Sequence, residues 1–564
     1  MSTNLTARMR ALGTAGVAAS LVASVLVAAA EPATAATNST RWTSTATKGL
    51  KLRHATLLAK SAPNSDPLRL TIGLNVRNPA NLKKLVKQQN TPGSKQFGKY
   101  LNPNQFTKQF APSKSQTAQV TKYLKKAGIK KVHVSPNRLQ ITAKTNVGKA
   151  EKAFHTNIAG YKQFGSRVLA NTSPAMVPSS LHGIVSSVLG LSTLGFTVGP
   201  QDGPTAPKLT GYYPDEFNKV YDAGSTKAGG RTQLAIIAEG DLTQTIKDLR
   251  TAEKKRNLKQ TPVSLVYAGP KSTDTAGADE WDLDTQTSTG VASSAARLYI
   301  YVAPSLTNAD LARAINRWVT DDKAQAASAS LGECDVLPFL DGSMMLDDMV
   351  LEEAAAQGQT FFASTGDTGS SCAVAGTNGV PGSGPLDTEY PASSPYTVAV
   401  GGTTLDTDDS DNYGTEIAWN AGGGGVSPVE NGGIWQNDVV PTSAAGARGV
   451  PDIALDADPN TGALIYVDGA VEQIGGTSLS SPMALGMWTR LQSSNGRKLG
   501  FAAPKLYALY SKAQTSPPLP PSAVPGFHDI TVGVNGAYPA TPGWDYTTGL
   551  GSFDLNALNT ALKG

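Results

Sequence analysis

The stretch from residue 234 to 400 alternates short apolar segments with helical ones, and this alternation constrains the fold more than any other feature of the chain. Strands are predicted over 234–238, 297–302, 360–363 and 396–400, and helices over 243–256, 310–323 and 344–357. Such alternation is typical of a parallel, doubly wound α/β sheet, whose functional sites lie at the carboxyl ends of the strands.

The first half of the chain has a different pattern, which predicts an α+β fold. It predicts strands over 68–76, 131–134 and 139–143, and helices over 81–89, 116–126 and 147–154. This order predicts an open antiparallel sheet with helices on one face. A linker rich in Gly and Pro follows over 196–208. Since 564 residues exceed one ordinary core, we predict one domain over 36–200 and another over 201–564.

The two halves carry opposite charge. Residues 36–200 contain 25 Lys and Arg against two acids, a net charge of +23, and residues 201–564 contain 22 against 41, a net charge of −19. A basic block can bind nucleic acid or membranes. Here the acidic partner lies in the same chain, so we favour an intramolecular clamp and predict no nucleic-acid partner. The attraction should weaken with salt and as carboxylates protonate.

The N-terminus predicts export. Arg8 and Arg10 precede an uncharged run over 12–30, and Ala33-Thr34-Ala35 follows as a small-residue cleavage site. The alternative is a transmembrane anchor, but the run is only weakly apolar. We therefore predict a signal peptide over 1–35 and a secreted, extracellular protein that has no membrane partner after cleavage.

The chain has only two cysteines, Cys334 and Cys372. In an exported protein an even pair favours one disulfide, and two free buried thiols are the alternative.

Ser478 is a candidate nucleophile. It lies in Gly476-Thr477-Ser478-Leu479-Ser480-Ser481-Pro482, ahead of an apolar helical stretch that Pro482 suits as part of the first turn. Backbone N–H groups at a helix start stabilise an oxyanion, although the same serine could be a plain N-cap. The only histidine after residue 182 is His528. A serine nucleophile needs a base. The candidates besides His528 are carboxylates, which can act as a base in acid, where histidine is already protonated.

Carboxylates occur in two suitable places. Glu280 and Asp284 are four residues apart, so on a helix they share one face and disfavour double ionisation. Asp282 points elsewhere. Asp367 follows the predicted strand over 360–363, where a site residue is well placed. A solvated acidic face and an Asx-turn are the structural alternatives.

Near the C-terminus, Asp529 and Asp545 bracket a turn-rich loop. Two carboxylates and free backbone carbonyls are hard oxygen ligands that suit Ca²⁺, although the spacing is not that of an EF-hand. The alternative is a pair of turn aspartates.

Together these residues resemble the sedolisin family of serine-carboxyl peptidases in their secreted zymogen form. The family motifs occur in order along the chain: Lys99-Tyr100-Leu101-Asn102-Pro103, Glu280-x-x-x-Asp284, Ser364-x-Gly366-Asp367-x-Gly369, Arg448-x-Val450-Pro451-Asp452, Gly476-Thr477-Ser478-x-Ser480-x-Pro482 and Gly543-Trp544-Asp545-x-x-Thr548-Gly549. The resemblance implies a subtilisin-like catalytic domain behind a ferredoxin-like prodomain that inhibits it, with proteins or peptides as substrates.

By the same resemblance, Ser478 is the nucleophile, Glu280 the general base, Asp284 its orienting partner and Asp367 the oxyanion-hole acid. One structural calcium ion would be held by the side chains of Asp529 and Asp545 and by the backbone carbonyls of three residues, namely Ile530, Thr541 and Gly543. Leu331 stands where relatives often carry tryptophan, so the resemblance does not carry over to the extended contacts near the site.

Three alternatives to a secreted acid endopeptidase stay open at this point. The chain could be a catalytically silent binding protein of the family, although the four site residues are intact. It could be a neutral enzyme that uses His528 as its base. It could also be a tripeptidyl aminopeptidase, whose substrate cleft is closed at one end.

Overall fold

The computed structural model describes residues 41–52, 55–163, 165–196, 200–204, 209–372, 384–441, 446–515 and 517–563. The predicted signal peptide over 1–35 and parts of the predicted linker lie outside these residues. Trp42–Gly564 forms one compact unit. Among the residues described, no helix is long and apolar enough to cross a membrane.

The N-terminal part, residues 42–196, contains nine strands and four helices within the described ranges. The strands are β1 Trp42–Ser44, β2 Thr56–Ala59, β3 Pro67–Leu74, β4 Lys130–Val134, β5 Gln140–Asn146, β6 Ile158–Gln163, β7 Ser166–Asn171, β8 Met176–Pro178 and β9 Val185–Leu189. The helices are α1 Pro79–Asn90, α2 Pro103–Gln109, α3 Lys114–Lys126 and α4 Val147–Phe154.

Four of these strands form an antiparallel sheet in the order β4-β5-β3-β9. This is the ferredoxin-like order that the resemblance implied. Side-chain caps set the helix starts, because Ser113 and Gln116 form a capping box at α3 and Asn146 caps α4. The apolar face of β3, with Leu70 and Ile72, packs with α3 and α4 in one core.

The C-terminal part begins after β10 Gln201–Asp202. Its strands are β11 Gln233–Glu239, β12 Val263–Tyr267, β13 Arg297–Ala303, β14 Ala326–Ala329, β15 Glu333–Cys334, β16 Thr360–Ser364, β17 Glu389–Tyr390, β18 Val398–Thr407, β19 Tyr413–Ala418, β20 Gly425–Asn431, β21 Ala447–Val450, β22 Ile453–Asp456, β23 Ala463–Val467, β24 Ala470–Gly475, β25 Phe527–His528 and β26 Ser552–Phe553. Its helices are α5 Phe217–Val220, α6 Thr243–Lys255, α7 Ala278–Ala292, α8 Asn308–Asp321, α9 Val336–Asp341, α10 Ser343–Ala356, α11 Thr477–Asn495, α12 Ala502–Ala513 and α13 Leu555–Ala561.

The central sheet of this part has the order β12-β13-β11-β14-β16-β18-β19, and β22 also pairs with β18. All pairs are parallel except β18 with the edge strand β19. The strands that face helices on both sides are apolar along their length, as expected for a parallel sheet. The predicted doubly wound α/β fold is confirmed.

The two parts meet where the antiparallel sheet lies on α8 and α10. The face of β3 opposite its own core carries the small residues Thr71 and Gly73, so the sheet approaches these helices closely. Thr71 Oγ1 donates to the carbonyl of Ala309 at 2.8 Å, and a Cβ on Gly73 would lie 3.2 Å from Leu346 Cδ1. One continuous apolar core includes side chains of both parts.

Candidate active site

Helix α7 presents the predicted carboxylate pair to the interior. Glu280 and Asp284 are fully buried, so the alternative of a solvated acidic face is wrong. The helix packs along α11, and a Cβ on Gly486 of α11 would lie 2.7 Å from Val291 Cβ of α7. A glycine at this position therefore allows the two helices to approach closely. The packing brings the helix with the carboxylates against the helix that carries Ser478.

Ser478 lies in the first turn of α11, which begins at Thr477. Pro482 is therefore in the second turn, one turn later than the sequence indicated. A proline there has no N–H to donate to the carbonyl of Ser478, four residues earlier. Ser330, just after β14, lies with its Oγ 3.2 Å from that carbonyl oxygen and so replaces the missing donor.

The same serine joins α11 to the carboxylate pair. Ser330 Oγ lies 2.6 Å from Asp284 Oδ1 and has one proton to share between its two neighbours. Burial raises the pKa of Asp284 to about 8, and the Ser330 hydroxyl opposes this shift. In acid, Asp284 is thus protonated and can donate to Ser330, which in turn donates to the carbonyl of Ser478. Asp284 is held in place by this chain of hydrogen bonds.

Asp367 follows β16, at the carboxyl edge of the sheet where the sequence predicted a site residue. Its Oδ1 accepts hydrogen bonds from the backbone N–H and the hydroxyl of Thr477, both at 2.8 Å. A Cβ on Gly476 would lie 2.6 Å from Asp367 Oδ2, so the glycine leaves room for this carboxyl. Asp367 therefore contacts the residue that precedes the candidate nucleophile. Its Oδ1 is occupied by Thr477, and its Oδ2 lies beside Gly476.

The environment of Asp367 favours its neutral form. Burial raises its pKa to about 6, and the two Thr477 hydrogen bonds partly oppose this shift. A protonated carboxyl can donate a hydrogen bond that a carboxylate cannot. The site therefore contains an acid that is neutral below about pH 6.

Asp282, the third carboxylate of the α7 motif, faces a different neighbour. Burial and the nearby Asp248 of α6 raise its pKa to about 8. This agrees with the prediction that Asp282 points away from the pair.

The motif Arg448-x-Val450-Pro451-Asp452 is a structural element. The Arg448 guanidinium donates to both carboxylate oxygens of Asp452 at 2.6 and 2.7 Å, and both side chains are buried. Asp452 also accepts from Tyr507 at 2.9 Å and from the backbone N–H of Ala399 on β18 at 2.8 Å. The pair thus fastens the central sheet to α12.

In the candidate calcium loop, hydrogen bonds connect four of the five predicted ligand residues in two pairs. Gly543 N donates to Asp529 Oδ1 at 3.0 Å, and Thr541 N donates to Asp545 Oδ2 at 2.9 Å. Burial raises the pKa of both carboxyl groups, that of Asp545 to about 6. No cluster of three or more His, Cys, Asp or Glu side chains that could hold a metal occurs in the described chain. Two carboxylates with carbonyls of the same loop are instead a donor set that fits Ca²⁺.

His528 directly precedes Asp529 of this loop. Its ring stacks on Tyr413 with centroids 3.8 Å apart, and burial lowers its pKa. Its strand β25 pairs with β26. These contacts give His528 a packing role and disfavour it as the base of Ser478.

Sequence reasoning missed three side chains that contact the site segments: Ser330, Thr477 and Glu389. Thr477 stands in the motif of Ser478 and Ser330 stands next to Leu331, but nothing in the sequence signals their hydrogen bonds across 110 and 46 positions. The predicted disulfide between Cys334 and Cys372 is present. It joins the segment that follows Ser330 to the segment that follows Asp367. Glu389 lies on the two-residue strand β17, too short for any periodic signal.

Comparison with known proteins identifies the family. The pro-kumamolisin activation domain matches residues 55–194, and the subtilase family matches residues 264–515. Sedolisin of Pseudomonas sp. (strain 101) is 38% identical over 560 residues, which covers 93% of each chain. The chain belongs to the sedolisin family. It is therefore a serine-type peptidase made with an activation domain.

Two further comparisons agree with this assignment to the sedolisin family. Xanthomonalisin of Xanthomonas sp. (strain T-22) is 35% identical and matches 95% of this chain and 70% of its own. The solved structure of Pseudomonas sedolisin, a serine-carboxyl proteinase complexed with two molecules of pseudo-iodotyrostatin, is 37% identical. It covers 63% of this chain and 99% of its own, with a TM-score of 0.57. The subtilisin-like fold is thus confirmed.

Proposed function

We propose that this protein is a secreted, acid-acting serine-carboxyl peptidase, made as a zymogen that activates itself. One observation carries the proposal: the first turn of α11 contacts two of the three predicted carboxyl groups, Asp284 through Ser330 and Asp367 through Thr477. Ser478 lies between these contacts, with Glu280 one helical turn before Asp284 on α7. No histidine is needed in this arrangement.

The proposed reaction is acyl transfer. Glu280 takes the proton of the Ser478 hydroxyl as Oγ attacks the carbonyl carbon of the scissile bond. The resulting oxyanion accepts a hydrogen bond from the protonated Oδ2 of Asp367. Collapse of this intermediate breaks the C–N bond, and Glu280 returns the proton to the leaving amine. Water then attacks the acyl-serine by the same steps and releases the acid product.

Acid action follows from the proposed role of Asp367. Only the neutral carboxyl donates to the oxyanion, and its pKa is about 6. Asp284, with a pKa raised to about 8, is neutral over the same range. As the pH rises, Asp367 therefore loses the proton that it donates to the oxyanion before Asp284 loses its own proton.

The linker supports activation in cis. Phe196 N donates to the carbonyl of Leu306, and Gln201 pairs with Gly475, three residues before Ser478. Of these two contacts, the one at Gln201 brings the described part of the linker next to the strand that leads to Ser478. We propose that acidification leads to cleavage within 196–208, with the released N-terminal part acting as an inhibitor. Ser478→Ala should stay full length under the same conditions.

Calcium is proposed as the single structural ion of the C-terminal loop. The side chains of Asp529 and Asp545 and the carbonyls of Ile530, Thr541 and Gly543 would hold it. A bound cation there would neutralise two partly buried carboxylates and hold the loop in its folded form.

The nucleophile is tested by labelling. Acid-activated protein is treated with a fluorophosphonate and digested, and the modified peptide is sequenced; we expect the label on Ser478 and no label in Ser478→Ala. Failure to label active-site serine, together with no hydrolysis of any peptide library, would favour the silent binding protein. Sequencing the products of the library also separates endopeptidase cleavage from release of N-terminal tripeptides.

A further inference from the structure

Three strands of the N-terminal sheet carry cations side by side. Lys130 of β4 lies opposite Lys144 of β5, and Lys144 lies opposite Arg69 of β3. Adjacent strands are about 4.8 Å apart, so the three residues form one short row. The row lies on the face toward α8, because the neighbouring Ala143 and Leu70 point into the core with α3 and α4. Like charges directly opposite each other destabilise a sheet, so this row needs a negative partner.

Helix α8 adds a fourth cation beside the row. Its Arg313 forms an ion pair with Asp310, which also accepts from Arg69 Nη2 at 2.5 Å and from Ser305 Oγ at 2.7 Å. Arg313 Nε is buried and has no hydrogen-bond partner among the described residues. Burial and the nearby Arg69 lower the pKa of Arg313 to about 10. The surroundings of Arg313 thus favour a further negative charge.

The chain supplies little negative charge here. Residues 67–150 contain no Asp or Glu, and of the two carboxylates on α8, Asp321 pairs with Arg317. In the part of the chain that the structure describes, the four cations have one carboxylate within ion-pair distance, Asp310. A surplus of three positive charges remains.

We propose that this basic cluster, formed by Arg69, Lys130, Lys144 and Arg313, binds a phosphate group between the two parts of the chain. A guanidinium can bind two oxygens of one phosphate, and a lysine adds a flexible point charge. Arg69 and both lysines are exposed, so an ion can reach them. The phosphate would reduce the surplus of positive charge and would offer an acceptor to Arg313 Nε.

The basic cluster spans the boundary between the two parts. Arg69 and the two lysines belong to the N-terminal part, and Arg313 belongs to the C-terminal part. A ligand that binds only when the parts are together favours the assembled zymogen by mass action. Phosphate should therefore slow the release of the N-terminal part. This consequence rests on the proposed function, whereas the binding itself does not.

Binding is tested by calorimetric titration of full-length Ser478→Ala protein with inorganic phosphate at constant ionic strength. We expect saturable binding of one phosphate per chain. Replacing Lys130 and Lys144 together by Gln should weaken the affinity about tenfold or more, and both side chains are exposed, so the fold should be kept. The matched control replaces Lys149 and Lys152 of α4, on the other face of the sheet, by Gln. Its affinity should equal that of the parent protein.

The titration has two outcomes that would overturn the site. One is the absence of saturable binding, and the other is equal affinity in the two double variants. Polyphosphate is titrated as a second ligand to distinguish the sources of phosphate. An affinity at least about tenfold above that of inorganic phosphate would assign the basic cluster to a phosphate polymer, and equal affinity would assign it to the free ion.

The bridging role is tested on activation. Wild type is acidified in phosphate or in chloride of equal ionic strength, and loss of the N-terminal part is followed by gel electrophoresis. At ten times the dissociation constant, phosphate should slow this loss up to about tenfold, but not in the variant of Lys130 and Lys144. Equal rates in the two salts would refute bridging. Wild type that never loses its N-terminal part would instead overturn the proposed self-activation, and the titration would still decide the site.

Discussion

At the scale of single residues, the site depends on hydrogen bonds that orient acidic groups. Thr477 occupies Oδ1 of Asp367, so the proton of the neutral form resides on Oδ2. Ser330 supplies the donor that Pro482 lacks and reaches Asp284 as well. Thr477 is next to the nucleophile and Ser330 follows β14 at the edge of the sheet. Neither contact involves histidine.

Asp367→Asn tests the oxyanion role. An asparagine can keep its oxygen on Thr477 and direct its amide N–H toward the oxyanion at every pH. Wild-type kcat/KM should fall as pH rises through about 6, because Asp367 loses its proton there. In the variant this fall should disappear, with a lower rate in acid. A variant that retains the same fall near pH 6 would show that another group titrates, and circular dichroism checks that both proteins are folded.

At the scale of helices and strands, long periodic segments were predictable and contacts between distant segments were not. The prediction of α4 over 147–154 is confirmed to the residue, because Asn146 caps it and its apolar face is regular. Strand β18 runs from Val398 to Thr407, well beyond the prediction over 396–400, because pairing with β19 and β22 extends it.

The candidate site shows the same limit. The residue types and spacing of Glu280, Asp284, Asp367 and Ser478 could be recognised from sequence, and the structure places them on α7, after β16 and on α11. Glu389 could not be recognised, because its strand has only two residues. Its proximity to the site is visible only in the structure, where Gly332 and Gly366 leave room for its carboxyl.

The buried pair of Arg448 and Asp452 should contribute strongly to stability. Arg448→Met leaves Asp452 buried without its guanidinium, which typically costs about 3–5 kcal/mol. Arg317→Ala is the control, because Arg317 pairs with Asp321 at the same spacing but is exposed, where pairs contribute about 0.3–0.5 kcal/mol. We expect a large drop in melting temperature for the first variant and a small one for the second. Equal drops would contradict the role of the buried pair.

Calcium should stabilise the C-terminal loop. A ligand that binds only the folded state raises the melting temperature by mass action. Protein freed of metal with chelator should melt at a lower temperature than protein with added Ca²⁺, and Asp545→Asn should abolish this difference. Asp554→Asn is a control in the same region, since Asp554 caps α13, and its calcium response should persist. Equal melting of wild type with and without calcium would reject the site.

At the scale of the whole molecule, the two parts are held by packing as well as by charge. Val86, Phe106 and Phe110 share one apolar core with the C-terminal part. Within the described ranges, the pair of Arg69 and Asp310 at 2.5 Å is the one ion pair between the parts. If the predicted charge clamp operates, it should therefore act mainly through the long-range field, and we expect salt to affect association more than the final contacts.

One buried group makes the complex weaker at neutral pH than in acid. Asn137 donates to Glu353 Oε2 at 2.6 Å across the interface, and burial raises the pKa of Glu353 to about 8. A carboxyl whose pKa is raised in the complex favours the complex at low pH and disfavours it as pH rises toward 8. Glu353 therefore weakens the complex at neutral pH and leaves it unaffected in acid.

Glu353→Gln tests this effect on inhibition by the isolated N-terminal part. Glutamine resembles the neutral carboxyl, so the inhibition constant at pH 7 should fall by about tenfold or more relative to wild type and should be unchanged at pH 4. Mutation of the partly exposed Glu216 to Gln is the control, because Glu216 pairs with Arg256 of the same part, and it should alter neither value. Equal pH dependence for wild type and Glu353→Gln would contradict the assignment.

The pH–rate profile of peptide hydrolysis tests the central claim most directly. Acid-activated wild type should be fastest in acid and lose activity above about pH 6, because Asp367 must be neutral. At its optimum, Glu280→Gln should be slower by about 10²–10⁴-fold, as is typical for the loss of a general base. Ser478→Ala, measured after removal of its N-terminal part by an added protease, should be nearly inactive. Maximal activity near pH 8, or full activity in Glu280→Gln, would contradict a serine nucleophile served by carboxyl groups.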